Sequence, residues 1–346
     1  QTRFRSRPGM PNESVPSSSE FQPTTQSELC RFLTENAVDP QNPILPVGGR
    51  TALNYGYPPA GNSAVVALTK LTRVVDYPSR DMTITVEPGI RIDDLTELLS
   101  AEGQQLPVDV SQSNRATLGG VVATNTSGPR RFGYGTLRDY VIGVTAINSQ
   151  GKTFHGGGRV VKNVAGYDIC KLLVGSLGTL AVITQLTLKL KPIPEAFHLL
   201  WVSLPDWNTL DAVVARLHKS EARPVVLDAY DAVAFQLLTA ESRLKLATKG
   251  PSLIIGLEGS LRETEWQIEA VKSELQSLDS NVSLELKTIE GDTASRVLNA
   301  MTEFPVGSDD PLTFQASLPP SKVVEFTQLA QNFDVVIRSE EHTSEL

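Results

Sequence analysis

The sequence is poor in the residue types that bind metals or form disulfides. Among its 346 residues are two cysteines, Cys30 and Cys170, and four scattered histidines. Neither type recurs at the spacing of a metal cluster, so the sequence indicates no structural metal site. Two separated thiols fit a reducing compartment.

Long apolar runs and an excess of positive charge are also missing. No uncharged apolar run approaches the ~20 residues that cross a bilayer, and residues 1–26 lack the apolar segment of a signal peptide. Lysine and arginine number 31 against 39 acidic residues, a net charge of −8. That balance argues against nucleic acid or an anionic membrane surface as the main partner. We expect a cytoplasmic protein with no transmembrane segment.

The length of the chain predicts two domains, and the boundary is placed at Pro194, after which glycine becomes sparse. Residues 1–21 are predicted to be a disordered leader because proline and serine dominate them. The first domain is placed at 22–194. Alternating strands and helices predict a second domain at 195–337, an α+β cap with a mostly antiparallel sheet, helices on one face and a truncated end. The tail 338–346 resembles a translated sequencing adapter and is predicted to be non-native; a real polar tail is the alternative.

The first glycine-rich passage, PVGGRT, covers Pro46–Thr51 and follows a predicted strand. Consecutive glycines let successive N–H groups point into one concavity that binds phosphate oxygens. The passage matches neither the dinucleotide fingerprint G-x-G-x-x-G nor the P-loop, so a Rossmann NAD site or an ATPase is not indicated. An ordinary glycine turn is the alternative, with about equal weight.

The second passage, TLGGVVATNTSG, covers Thr117–Gly128 and is a run of small residues. Such a run lets the backbone approach a flat ring system, with amides and hydroxyls directed at its polar edge. A tight crossing in the core is the alternative. Arg130 and Arg131 follow after Pro129, and a solvated loop is favoured for this pair over a phosphate or partner contact.

The third passage, Lys162–Thr184, is the one around which the other two are arranged. Asp168 is placed to cap a short helix over Ile169–Val174, which ends at Gly175. Alternation over Leu180–Lys191 then predicts a half-buried strand. The passage offers no convincing acid, base or nucleophile, and Cys170 within it is predicted to be a small core residue. We interpret it as a backbone cradle.

Together the passages resemble the FAD-binding domain of the vanillyl-alcohol oxidase (PCMH) type, over about residues 22–194. GPRR at Gly128–Arg131, GTLRDYVIG at Gly135–Gly143 and GGRVVKNVAGYD at Gly157–Asp168 resemble most closely the FAD-binding subunit of glycolate oxidase, GlcE. The resemblance implies a two-subdomain FAD-binding fold. It also implies cofactor contacts at Pro46, Val47, Gly48, Gly49, Arg50, Thr51, Pro107, Thr117, Gly119, Gly120, Ala123, Thr124, Ser127, Gly128, Gly178, Val182 and Ile183.

Two departures from the family qualify the expected function. The first loop has Arg50 and Thr51 where covalent members often carry histidine, so non-covalent FAD is expected. Catalytic relatives usually show GSEGT where this chain has Leu177, and no histidine-rich motif precedes Ile337. The resemblance therefore implies an accessory subunit for oxidation of glycolate to glyoxylate. It would work beside a catalytic flavin subunit and an iron–sulfur subunit, through which it could associate peripherally with the inner membrane.

Two rival functions remain open. One is a self-sufficient FAD-dependent dehydrogenase of glycolate or D-lactate. The other is a scaffold whose cofactor site is degenerate and empty. No catalytic residue is assigned from the sequence.

Overall fold

A computed structural model describes residues 3–4, 17–38, 43–53, 55, 63–158, 167–277, 284–304, 314–316, 318–333 and 335–340. Among them the strands are β1 Arg3–Phe4, β2 Ser17–Phe21, β3 Ile44–Val47, β4 Ser63–Ala67, β5 Val74–Asp76, β6 Thr83–Val86, β7 Gln104–Gln105, β8 Val141–Ile147, β9 Thr153–Gly157, β10 Val182–Lys189, β11 Lys191–Pro192, β12 Ala196–Ser203, β13 Val226–Tyr230, β14 Ser252–Gly259, β15 Glu285–Glu290, β16 Phe314–Gln315 and β17 Arg338–Glu340.

The α-helices are α1 Gln26–Val38, α2 Ile92–Ser100, α3 Leu118–Thr124, α4 Arg131–Tyr134, α5 Ile169–Leu173, α6 Trp207–Leu217, α7 Ala232–Ser242, α8 Leu261–Gln276, α9 Gly291–Glu303 and α10 Val323–Ala330. Residues 162–166 of the third passage and 341–346 of the tail lie outside the described residues. Of the predicted leader, the structure describes residues 3–4 and 17–21.

The chain divides into two compact units. The first comprises Gln1–Thr126, Thr136–Ile193 and Asp309–Ala316, and the second comprises Ser127–Gly135, Pro194–Ser308 and Ser317–Leu346. Nine residues that the sequence analysis assigns to the first domain, Ser127–Gly135, thus cluster with the second unit.

Two larger sheets build the first unit. Strands β2, β4 and β3 form a parallel sheet, with β4 in the middle. Helix α1 packs Leu29 and Leu33 against Val66 of β4, because these side chains share one face of the helix. The second sheet is antiparallel in the order β5-β6-β10-β8-β9.

Strand β10 is the centre of the antiparallel sheet, is shorter than the predicted Leu180–Lys191, and shows the predicted alternation of burial from Gln185 to Lys189. Leu186 and Leu188 are fully buried, whereas Lys189 is exposed. Its neighbours β6 and β8 both run antiparallel to it. The helix before β10 begins as predicted, since Oδ1 of Asp168 accepts a hydrogen bond from the backbone N–H of Lys171 over 3.0 Å.

The second unit contains a five-stranded sheet in the order β15-β12-β14-β13-β17, antiparallel at every pairing. Helices α6 and α8 pack on one face of this sheet. Helices α7 and α9 pack on the other face. The prediction of helices on one face is therefore wrong. Strands β13 and β14 are buried on both sides, so both faces need a covering layer.

Three further elements differ from the sequence prediction. Ser17–Phe21, assigned to a disordered leader, forms β2 beside β4. Leu118–Thr124, described from sequence only as part of a run of small residues, is helix α3. Strand β16, placed by sequence in the second domain, pairs with β1 in the first unit.

Candidate functional site

The first glycine-rich passage packs directly against the second. A Cβ atom at Gly48 would collide with Oγ1 of Thr117, and one at Gly49 would collide with the carbonyl oxygen of Arg115. Only glycine allows two backbones to approach this closely. The turn after β3 is therefore fixed against the residues that precede α3.

Helix α3 carries the central glycines of the second passage. It begins after Thr117, whose backbone is extended, and ends at Asn125 in the left-handed conformation with φ of 50°. A Cβ at Gly119 would lie 2.6 Å from Cβ of Pro88, so this glycine is required by packing. At Gly120 a Cβ would meet only Oγ1 of Thr117, at 3.5 Å. The protein itself therefore leaves space at Gly120.

The third passage touches both of the others. The backbone N–H of Leu177 donates to the carbonyl oxygen of Ala123 over 2.8 Å, and that of Gly175 donates to Val122 over 3.0 Å. Gly178 has a φ of +71°, and a Cβ there would lie 2.8 Å from Cγ of Pro46. The three passages thus meet pairwise, although they are far apart in sequence.

Between them lies a cleft of about 430 Å³, a volume that includes open space at its mouth. We call it the cleft throughout. Its walls are lined by Pro46, Val47, Gly48, Leu68, Pro88, Thr117, Gly119, Gly120, Ala123, Leu177, Gly178, Ala181 and Ile183. Most of these residues belong to the predicted cofactor contacts.

Several predicted contacts lie outside the cleft lining. They are Gly49, Arg50, Thr51, Pro107, Thr124, Ser127, Gly128 and Val182. Val182 packs in the cluster of α1 with Leu29 and Leu33, because adjacent residues of a strand point to opposite faces and Ile183 faces the cleft. The hydroxyl of Thr124 donates to the carbonyl oxygen of Gly120 over 2.9 Å. Ser127 and Gly128 belong to the second unit.

Four lining residues were missed by sequence reasoning: Leu68, Pro88, Leu177 and Ala181. Leu177 is the most informative of them, since its φ of 55° is unusual for a residue with a branched side chain. Its side chain is 45% exposed although it is apolar. No sequence signal marks a left-handed leucine.

The cleft presents one polar side-chain group and no ionisable one among its described lining residues. That group is Oγ1 of Thr117, which is buried and has no hydrogen-bond partner among the described residues. Oδ1 of Asn125 and Oγ of Ser176 are also buried, and they too have no hydrogen-bond partner among the described residues. Buried polar atoms are satisfied as a rule. An apolar cleft with an unsatisfied hydroxyl, walled by glycine, fits a large flat ligand with polar edges, as FAD is.

Two of the arginines near the passages, Arg50 and Arg130, are paired with carboxylates. Nη2 of Arg50 pairs with Glu20 at 3.0 Å. The sequence analysis favoured a solvated loop for Arg130, with a phosphate or partner contact as the alternative. In the second unit Arg130 pairs at 3.2 Å with Glu258, whose side chain is 3% exposed. The hydroxyl of Tyr134 donates to the same carboxylate. Arg130 is thus part of a buried network.

Among the described residues the thiol and imidazole groups form no ligand cluster. Burial, together with the charge of Asp168, raises the pKa of the Cys170 thiol to about 11. The thiolate is the reactive form, so this cysteine is inert at neutral pH. Nδ1 of His155 lies 2.9 Å from Oγ1 of Thr145 on β8. Across the described residues no group of histidines, cysteines and acids could hold a metal ion. None of the helices found there has the length and apolar content needed to span a membrane.

Comparison with known proteins defines the class. Residues 19–157 match the family model of an FAD binding domain. The fold resembles alkyldihydroxyacetonephosphate synthase, with a TM-score of 0.67, 21% identity and coverage of 83% of this chain and 54% of that one. It also resembles p-cresol methylhydroxylase, with a TM-score of 0.63 at 14% identity over 82% of this chain and 61% of that one. The match over residues 19–157 confirms the predicted FAD-binding domain and FAD as its cofactor, and the likeness to the two solved structures confirms the predicted fold class.

Three curated relatives are similar to parts of this chain. Glycolate oxidase subunit GlcD of Bacillus subtilis is 29% identical over 255 residues, which are 72% of this chain and 53% of that protein. Glycolate oxidase subunit GlcE of Escherichia coli is 35% identical over 161 residues, 46% of this chain and 45% of that protein. D-lactate dehydrogenase of Anaerostipes hadrus is 31% identical over 200 residues, 58% and 41% respectively. The chain spans about half the length of these relatives.

Proposed function

We propose that the chain is a non-covalent FAD-binding subunit of a complex that oxidises a 2-hydroxy acid, with glycolate as the substrate. The similarity to two proteins named as glycolate oxidase subunits supports the substrate and the subunit role. A catalytic flavin subunit and an iron–sulfur subunit are the proposed partners.

The observation that carries the proposal is the composition of the cleft. When bound, FAD supplies the acceptor for a hydride from the hydroxy-acid carbon. Removal of the hydroxyl proton needs a base within hydrogen-bond reach of the substrate. Thr117 is the only described lining residue with a polar side chain, and a threonine hydroxyl does not act as a base without a partner. The chain binds the cofactor, and another subunit supplies the base.

The chain's own residues have distinct roles in this proposal. The open space at Gly120 admits the flat ring, and the hydroxyl of Thr117 hydrogen-bonds to its polar edge. Leu68, Ala181 and Ile183 exclude water from the ring. No cysteine, histidine or tyrosine is found among the described residues of the lining, which supports non-covalent binding.

The test is the absorbance spectrum of the purified chain before and after anaerobic addition of glycolate. We expect a flavin spectrum, release of the flavin by acid precipitation, and no bleaching by glycolate. Bleaching by the chain alone would contradict the accessory role. Protein that stays colourless after incubation with excess FAD would indicate a degenerate site.

A self-sufficient dehydrogenase is the second candidate. The relatives named D-lactate dehydrogenase and D-2-hydroxyglutarate dehydrogenase favour it, at 31% and 32% identity. The same anaerobic experiment with D-lactate and D-2-hydroxyglutarate distinguishes this candidate, because it predicts rapid bleaching by at least one of them.

A further inference from the structure

Arg115 lies beside the glycine turn that follows β3. Its carbonyl oxygen stands where a Cβ at Gly49 would have to be. Two residues further along the chain, Thr117 lines the cleft. The backbone of Arg115 therefore packs against the proposed phosphate-binding turn and lies two residues along the chain from the cleft lining.

Hydrogen bonds fix this position. The backbone N–H groups of Arg115 and Ala116 both donate to the carbonyl oxygen of Gln112, over 2.8 Å and 2.7 Å. The carbonyl oxygen of Ala116 accepts in turn from the first residue of α2, Ile92, over 3.0 Å. The turn is thus tied to a helix, and the base of the Arg115 side chain has a defined place.

The guanidinium of Arg115 has no carboxylate partner among the described residues. Its side chain is exposed, and its one polar contact there is a hydrogen bond of 3.4 Å from Nη1 to the neutral Oε1 of Gln112. Arg50, the other cation of this turn, is paired with Glu20 at 3.0 Å. Of these two arginines, Arg115 is the one whose charge no described carboxylate compensates.

We propose that Arg115 binds the diphosphate of the dinucleotide cofactor, an inference that rests on the FAD binding proposed above. The diphosphate carries negative charge, and the described residues of the cleft lining include no cation to meet it. A guanidinium presents paired N–H donors that match phosphate oxygens, and such charge-assisted bonds are stronger than neutral ones. Arg115 thereby favours a dinucleotide over a flavin that lacks phosphate.

The test compares FAD with riboflavin, which has the ring but no phosphate. Dissociation constants for both are measured by flavin fluorescence for the full chain and for Arg115→Gln, at low and high salt. We expect the variant to bind FAD about tenfold more weakly, with riboflavin binding unchanged. The salt dependence of FAD binding should also decrease, because one charge contact is lost.

Two further variants make the result specific. Lys152→Gln removes one positive charge from the exposed turn between β8 and β9 and should bind FAD like the unaltered chain. Arg115→Lys keeps the charge without the paired donors and should restore part of the affinity. Thermal unfolding of each variant without flavin checks that the fold is retained.

Equal FAD affinity and equal salt dependence in Arg115→Gln would overturn the inference about Arg115 and leave FAD binding intact. An equal loss for FAD and riboflavin would overturn it too, since the change would then act on the shape of the cleft. If the unaltered chain binds no FAD at all, the proposed function itself fails.

Discussion

Thr117 places Oγ1 where any side chain at position 48 would have to lie, so Gly48 is glycine because Thr117 is there. The same hydroxyl is buried, lines the cleft and has no hydrogen-bond partner among the described residues. One contact thus joins the first two glycine-rich passages and involves a hydroxyl that has no hydrogen-bond partner among the described residues.

Thr117→Val removes the hydroxyl group and nearly preserves the shape of the side chain. Without flavin the variant should be at least as stable as the unaltered chain, because it removes a buried polar atom that has no partner among the described residues. Its FAD affinity should fall about three- to tenfold, the value of about one neutral hydrogen bond. Urea unfolding without flavin and a flavin fluorescence titration measure the two effects. A loss of stability with unchanged affinity would show that the hydroxyl serves the fold.

Gly120→Ala should stabilise the protein and weaken flavin binding. Alanine is favoured over glycine inside a helix by about 0.8–1.0 kcal/mol, and at this position its methyl group meets only the Thr117 hydroxyl at 3.5 Å. In the proposed complex the methyl group would occupy cofactor space. The free energy of unfolding in urea and the FAD dissociation constant should therefore both rise.

Gly119→Ala is the matched control for that variant. It lies in the same helix, but its Cβ would press on Pro88 at 2.6 Å, so it should destabilise the protein even without flavin. Equal behaviour of the two variants would contradict the assignment of the open space to the cofactor.

The two cysteines should differ in reactivity. Cys170 is 4% exposed and its pKa is raised to about 11, so its thiolate is scarce at pH 8. Cys30 is partly exposed. A thiol reagent at pH 8 should label Cys30 first, and Cys170 only after denaturation or as the pH rises towards 11. Mass spectrometry of the labelled peptides identifies the site, and rapid labelling of Cys170 in the folded protein would contradict its burial.

Glu258→Ala should destabilise the second unit strongly. The change leaves the 15%-exposed side chain of Arg130 without the carboxylate that it now contacts, and it removes the acceptor of the Tyr134 hydroxyl. Breaking a buried ion pair from one side costs about 3–5 kcal/mol. Chemical unfolding should report this loss. Glu269→Ala is the control, because it removes an exposed acid that pairs with Lys272 on the same helix, α8, and should cost less than about 1 kcal/mol.

The order of elements in the first unit was largely readable from sequence. Alternation in β10 predicts which leucines are buried, and the side chain of Asp168 predicts where α5 begins. Both signals are local, since they depend on strand periodicity and on one capping hydrogen bond. The glycine-rich passages were likewise visible, because close approach of backbones requires glycine.

Elements fixed by distant contacts were not predictable in the same way. Helix α3 contains adjacent glycines and β-branched residues, which are poor helix formers. It is a helix because Leu118, Val121 and Val122 are buried in the core. The left-handed leucine at 177 and the position of Arg115 beside Gly49 depend on contacts between passages that no local pattern encodes.

In the second unit, prediction from sequence failed for a different reason. Its central strands are apolar on both faces, and a run such as Leu253–Leu257 does indicate a strand with both sides covered. Strand–helix alternation alone predicts a sheet with helices on one face. The apolar composition of β13 and β14 was therefore the stronger indication.

One anaerobic titration distinguishes a chain that only binds FAD from a chain that also oxidises a hydroxy acid by itself. Purified chain reconstituted with FAD is mixed with glycolate, and the flavin absorbance is followed over time. We predict a stable flavin spectrum that glycolate does not bleach. A spectrum that bleaches on addition of glycolate, with no other subunit present, would contradict the account.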